Sequence, residues 1–187
     1  MRDSMKMTVR YQFVYMLIMQ AAASGVCFVF GLVAFWYFMN ISIAKEILSV
    51  VFMLVNFAML YIQSKKFAVL DNKPYTPLKP SKLKGALFGC LIALANLIFM
   101  VIFRLIWIRF GTDMGLSGIF PTIINAVFYY WTFPYNGIMN LSDGTFTLYS
   151  AAAMMVVPVA ATLIGYIAGS KKFELAEKID EFMYEKE

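Results

Sequence analysis

Four stretches of this chain run close to 20 residues or longer with almost no charge: residues 11–37, 43–63, 85–107 and 146–169. Each is long enough, at ~1.5 Å per residue, to cross the ~30 Å hydrocarbon layer of a bilayer as a helix. A soluble domain carries roughly 25% charged residues. This chain of 187 residues carries 14% and is 61% hydrophobic, more apolar length than a soluble core of that size can absorb. The sequence therefore reads as an all-α integral membrane protein. Its basic start (Arg2, Lys6, Arg10) followed by an apolar run has the outline of a signal peptide. The run, however, is longer than the ~7–15 residues of a signal-peptide core, so an uncleaved first transmembrane helix is expected.

Residues 119–134, IFPTIINAVFYYWTFP, are harder to place. The segment between Pro121 and Pro134 would rise only ~18 Å as a helix, too short to span. Tyr129, Tyr130, Trp131 and Tyr135 are ring types that favour headgroup level. Charge decides the side. Residues 64–84 hold Lys65, Lys66, Lys73, Lys79, Lys82 and Lys84 against Asp71, whereas 110–145 hold no Lys or Arg. Lys171 and Lys172 follow the last apolar run directly. Four crossings put every basic cluster in the cytoplasm, as the positive-inside rule asks; five would not. The expected architecture is four transmembrane helices plus a short interfacial or re-entrant helix on the outer face. The alternative is a tilted fifth span. A polytopic membrane domain would cover 1–170, and a cytoplasmic amphipathic tail helix 171–187, with Leu175, Ile179, Phe182 and Met183 as its apolar stripe. The chain would be a multi-pass cell membrane protein with both termini cytoplasmic.

Helices in lipid associate by close packing of small residues. Gly85 with Gly89, and Gly165 with Gly169, make two GxxxG pairs; both are expected at helix contacts, with the third and last spans close together. Ala21 and Gly25 form a similar patch in the first span. Pro158 lacks an N–H, so it frees a carbonyl one turn back. Gln20, Asn56 and Asn96 stand within spans. Amides in hydrocarbon need partners, so these three read either as interhelical hydrogen bonds or as a polar intramembrane site. No acidic or basic residue is expected deep in a span, which removes the usual mark of an ion pathway. Arg104 and Arg109, at the far end of the third span, would snorkel to headgroups or contact an anion.

Catalytic signals are missing. The chain has no histidine, which excludes Ser-His and Cys-His catalysis and HExxH zinc sites. Cys27 and Cys90 lie in separate apolar runs. No cofactor, metal or nucleic acid is expected. Lysines 65–84 would attract anionic inner-leaflet lipid. Pro74, Pro77 and Pro80 fall on one edge of a polyproline II segment, and the acidic tail complements the lysines in sign. These features point to a non-enzymatic subunit of a membrane complex, with a protein partner or a homo-oligomer. A small-solute transporter, or the substrate-binding subunit of one, is the alternative.

Overall fold

The computed structural model describes residues 9–38, 42–73, 81–110, 119–135 and 148–184. The helices are α1 (Val9–Phe38), α2 (Ser42–Asp71), α3 (Lys82–Phe110), α4 (Ile119–Thr132) and α5 (Leu148–Tyr184), with a 3₁₀ turn, Phe133–Tyr135, closing α4. Among the described residues there is no strand. Four helices contain stretches long and apolar enough to cross a membrane: Val9–Ala34, Val50–Asp71, Leu83–Ile106 and Ser150–Lys171. The 14-residue α4 is not one of them. Val14, Ile18, Leu54 and Leu94 are more than half exposed on the outer faces, an arrangement suited to a bilayer rather than to water.

Each long helix buries one stripe at helical spacing. The stripes are Gln12, Met16, Gln20 and Ser24 on α1, and Asn56, Leu60, Ser64, Phe67 and Asp71 on α2. On α3 they are Lys84, Phe88, Ile92 and Asn96; on α5, Ser150, Met154, Pro158, Thr162 and Tyr166. The helices meet along these stripes, with α5 packed between α2 and α3 and α1 lying on α2. One apolar core lies near the lysine-rich end, around Met16, Leu60, Phe88, Ile92 and Tyr166. A second gathers Phe103, Phe128, Tyr135 and Met154.

Glycine sets the closest approaches. A Cβ at Gly89 would stand 2.4 Å from the Cα of Val159, and one at Gly85 2.5 Å from the Cβ of Tyr166. The α3 glycines thus face α5. Gly165 and Gly169 face α2 instead: their Cβ atoms would lie 2.4 Å and 2.5 Å from the carbonyl oxygens of Tyr61 and Lys65. The two glycine pairs do not face each other; α5 uses one face for each neighbour.

Two boundaries differ from the sequence reading. Residues 64–71 were expected in a loop, but α2 continues through them to Asp71. Nothing in this stretch breaks a helix before Pro74, and Phe67 and Ala68 extend the buried stripe. Asn72 then ends the helix, its side-chain amide donating to the Ala68 carbonyl at 2.8 Å. Lys65 and Lys66 therefore ride on a helix. At the other end of the chain, α5 runs without a break to Tyr184, so the tail helix is its continuation. The side chains of that stripe lie outside the described residues, as do Pro74, Pro77 and Pro80.

Candidate functional site: polar layers inside the helix bundle

The lysine-rich end of the bundle holds a buried carboxylate. Asp71 ends α2 at 2% exposure, and Lys84, in the first turn of α3, is 7% exposed. The Lys84 ammonium donates to Asp71 Oδ2 at 2.5 Å. Tyr166 on α5 donates its hydroxyl to the same oxygen at 2.7 Å, and Gln12 Nε2 on α1 donates to Oδ1 at 2.8 Å. One carboxylate thus joins all four long helices. Charge alone would not hold it there, because desolvating two ions can cost more than their attraction returns; the two neutral donors complete its coordination. Both residues were expected in the loop between the second and third spans; they stand instead at the ends of α2 and α3, where the pair is buried. The missed signal was spacing: Asp71 stands four residues after Phe67, and Lys84 four before Phe88, each in register with its helix's buried stripe.

Midway along the bundle, Ser64 donates to the Thr162 carbonyl at 2.7 Å, and Thr162 Oγ1 donates to the Pro158 carbonyl at 2.9 Å. These short side chains let α2, α3 and α5 approach without stranding a hydroxyl. The carbonyl that Pro158 leaves without its helical donor is that of Met154, one turn back. Asn96 Nδ2 on α3 supplies the missing hydrogen bond at 2.6 Å.

The other end of that amide holds α4. Trp131 Nε1 donates to Asn96 Oδ1 at 2.7 Å, while Ser24 on α1 donates to the Trp131 carbonyl at 2.8 Å. Asn56 Nδ2 on α2 donates to the Tyr135 hydroxyl at 2.8 Å. Tyr130 packs on Gly25 and donates to the Ala21 carbonyl at 3.1 Å. Phe103 and Phe128 stack with centroids 4.2 Å apart. The rings expected at headgroup level are therefore divided: Trp131 and Tyr135 point into the bundle, where amides need donors and acceptors, and Tyr135 is fully buried. Burial pushes the Tyr135 phenol well above its ordinary range, against the opposing effect of the Asn56 hydrogen bond.

Of the three amides singled out in the sequence, Asn96 and Asn56 both anchor the α4 segment. Gln20 does not join them. It is wholly buried, and among the described residues neither of its polar atoms has a hydrogen-bond partner, nor do Asn56 Oδ1 and Gln12 Oε1. Arg104 is exposed at the far end of α3, and the Arg109 side chain lies outside the described residues. Cys27 is buried and donates to the Phe52 carbonyl at 3.6 Å, whereas Cys90 is exposed; both are free thiols. Among the described residues no cluster of three or more His, Cys, Asp or Glu side chains could hold a metal ion. Comparison with known protein families, curated proteins and solved structures finds no match to this chain.

Proposed function

We propose that this chain is a non-enzymatic, multi-pass component of a membrane complex, with both termini and the lysine-rich loop in the cytoplasm. In this reading α4 enters from the opposite side as a re-entrant helix and plugs the bundle. The observation that carries it is the use of Asn96. Its Nδ2 repairs the α5 helix at Pro158 and its Oδ1 holds Trp131, so both of its polar atoms are already engaged in joining α3 to α5 and α4. With the interior closed in this way, the working surface is the charged cytoplasmic end, where lysines face anionic lipid and the acidic continuation of α5 faces a protein partner. Lys84 is not part of that surface, since it is buried on Asp71.

The test is purification in mild detergent followed by native mass spectrometry for co-purifying chains. A stoichiometric partner, lost on Lys79→Glu with Lys82→Glu or on Ile179→Asp with Phe182→Asp, is the expected result. A chain that runs as a lone monomer and moves a solute in liposomes would overturn it.

A second reading, a small-solute transporter, is favoured by Gln20. A buried amide without partners costs about 1–3 kcal/mol, and a polar ligand or an ordered water would satisfy it. Gln20→Leu distinguishes the two: it should leave a subunit intact or more stable, and should abolish transport if a solute binds there.

A further inference from the structure

On the outer side of the lysine-rich end, α2 carries a groove of about 560 Å³ lined by Tyr61, Ile62, Lys65, Lys66, Val69 and Lys73. Its chemistry is mixed along the helix axis. Ile62 is half exposed and lies within the membrane-length stretch. Lys73 lies just beyond the end of the helix. Between them the Lys65 ammonium sits 5.7 Å from the centre of the Tyr61 ring, and Lys66 is exposed. From residue 61 to 73 a helix rises ~18 Å, enough to run from the upper acyl chains through the headgroup layer.

We propose that this groove binds one anionic glycerophospholipid. Its phosphate lies at Lys65 and Lys66, and an acyl chain runs along Ile62 and Val69. Such a lipid is complementary to both halves of the groove. A soluble anion would use the lysines and leave the apolar wall bare. A zwitterionic lipid would bring an ammonium group against the two lysines. An anionic lipid satisfies the lysines and the wall together, and basic pockets beside membrane helices are suited to such headgroups. The carboxylate nearest in sequence does not oppose it: Asp71 is turned inward and neutralised by Lys84, Tyr166 and Gln12. The site rests on the proposed anionic-lipid contact of this end, and narrows it from a diffuse attraction to one stereochemically defined position.

The experiment uses the full chain in phosphatidylcholine vesicles containing a phosphatidylglycerol probe with a photoreactive headgroup. Cross-links should concentrate on the peptide containing residues 61–73. Unlabelled phosphatidylglycerol should compete them away; phosphatidylcholine and inorganic phosphate should not. Lys65→Gln with Lys66→Gln should lower labelling about 25-fold, since each lysine near an anionic surface is worth roughly a factor of five. The charge-matched Arg10→Gln with Lys171→Gln, two exposed residues at the same end that do not line the groove, should change it less than about twofold. Equal losses in the two variants, labelling spread evenly over the bundle, or competition by either control would overturn the site. Cross-link mapping on the unmodified chain keeps the test independent of whether the variants fold. The probe occupies both leaflets, so failure here is separable from failure of the proposed orientation or of the subunit reading.

Discussion

Removing one member of the Asp71–Lys84 pair should destabilise the bundle more than removing the charge of both. Lys84→Met would leave a carboxylate at 2% exposure with only Gln12 and Tyr166 as donors. An uncompensated buried charge of this kind costs about 3–5 kcal/mol, or roughly 10²–10⁴ in the folded-to-unfolded ratio. Asp71→Asn should fall toward the lower end of that range. The ammonium it strands belongs to the third residue of α3, and its four-carbon stem can carry the charge out to the interface. The double variant, Asp71→Asn with Lys84→Met, buries no charge and keeps a carbonyl oxygen to accept from Tyr166 or Gln12. It should cost about 1–2 kcal/mol, for one weakened hydrogen bond, less than either single change. The measurement is a double-mutant cycle by denaturant unfolding in mixed micelles, followed by tryptophan fluorescence and far-UV circular dichroism. A coupling energy of about 2 kcal/mol or more is expected. Single variants within about 0.5 kcal/mol of the parent, or a double variant equal to their sum, would show that the pair is not an integrated buried ion pair.

Gly89→Leu and Gly165→Leu should each cost more than Ala34→Leu in the same unfolding assay, by about 1–3 kcal/mol, because even a Cβ at either glycine stands 2.4 Å from a neighbouring backbone atom; equal tolerance at all three sites would refute the close approaches. Asn96→Leu should strand both the Trp131 indole N–H and the Met154 carbonyl, at about 1–3 kcal/mol each, and should raise the accessibility of Trp131 to an aqueous quencher. Unchanged stability and quenching would mean that α4 is held by ring packing alone. In a cysteine-free background, single cysteines at positions 4 and 184 should resist an impermeant thiol reagent in intact cells while one at 140 reacts; labelling at 184 from outside would reverse the proposed orientation.

The spans were readable because length against bilayer thickness is a simple criterion, and Pro121 with Pro134 bounded α4 as too short to cross. Hydropathy alone does not say which face of each span is inside. In water the buried face of a helix is the apolar one. Here both faces are apolar, so Val14 toward lipid and Met16 toward the core look alike. The stripe betrays itself through its polar members instead: Gln12, Gln20 and Ser24; Asn56, Ser64 and Asp71; Lys84 and Asn96; Ser150, Thr162 and Tyr166, mostly at multiples of four residues. Lys84, twelve residues before Asn96, falls on that spacing, and Asp71, seven after Ser64, falls two turns along the same helix face. The pairing of Asn96 with the Met154 carbonyl was half legible, since Pro158 announces an unpaired carbonyl but not which helix will answer it. The destination of Trp131 was not legible, because an interfacial ring and a buried one with a satisfied N–H have the same composition.

The hydrogen bond from Asn96 to the Met154 carbonyl also bears on how the chain is built. During synthesis α3 and α4 emerge before α5. Until α5 arrives, the Asn96 donor faces the bilayer without its partner, and α5 in turn enters with a gap in its own ladder at Pro158. Neither helix is complete in isolation, and each carries the part the other lacks. The last helix therefore meets a waiting donor on α3 rather than open lipid, and the hydrogen bond that repairs its backbone also fixes its position beside α3. A chain interrupted before residue 148 would therefore keep the Trp131 partner of Asn96 and lack only the Met154 carbonyl that its Nδ2 meets in the complete bundle.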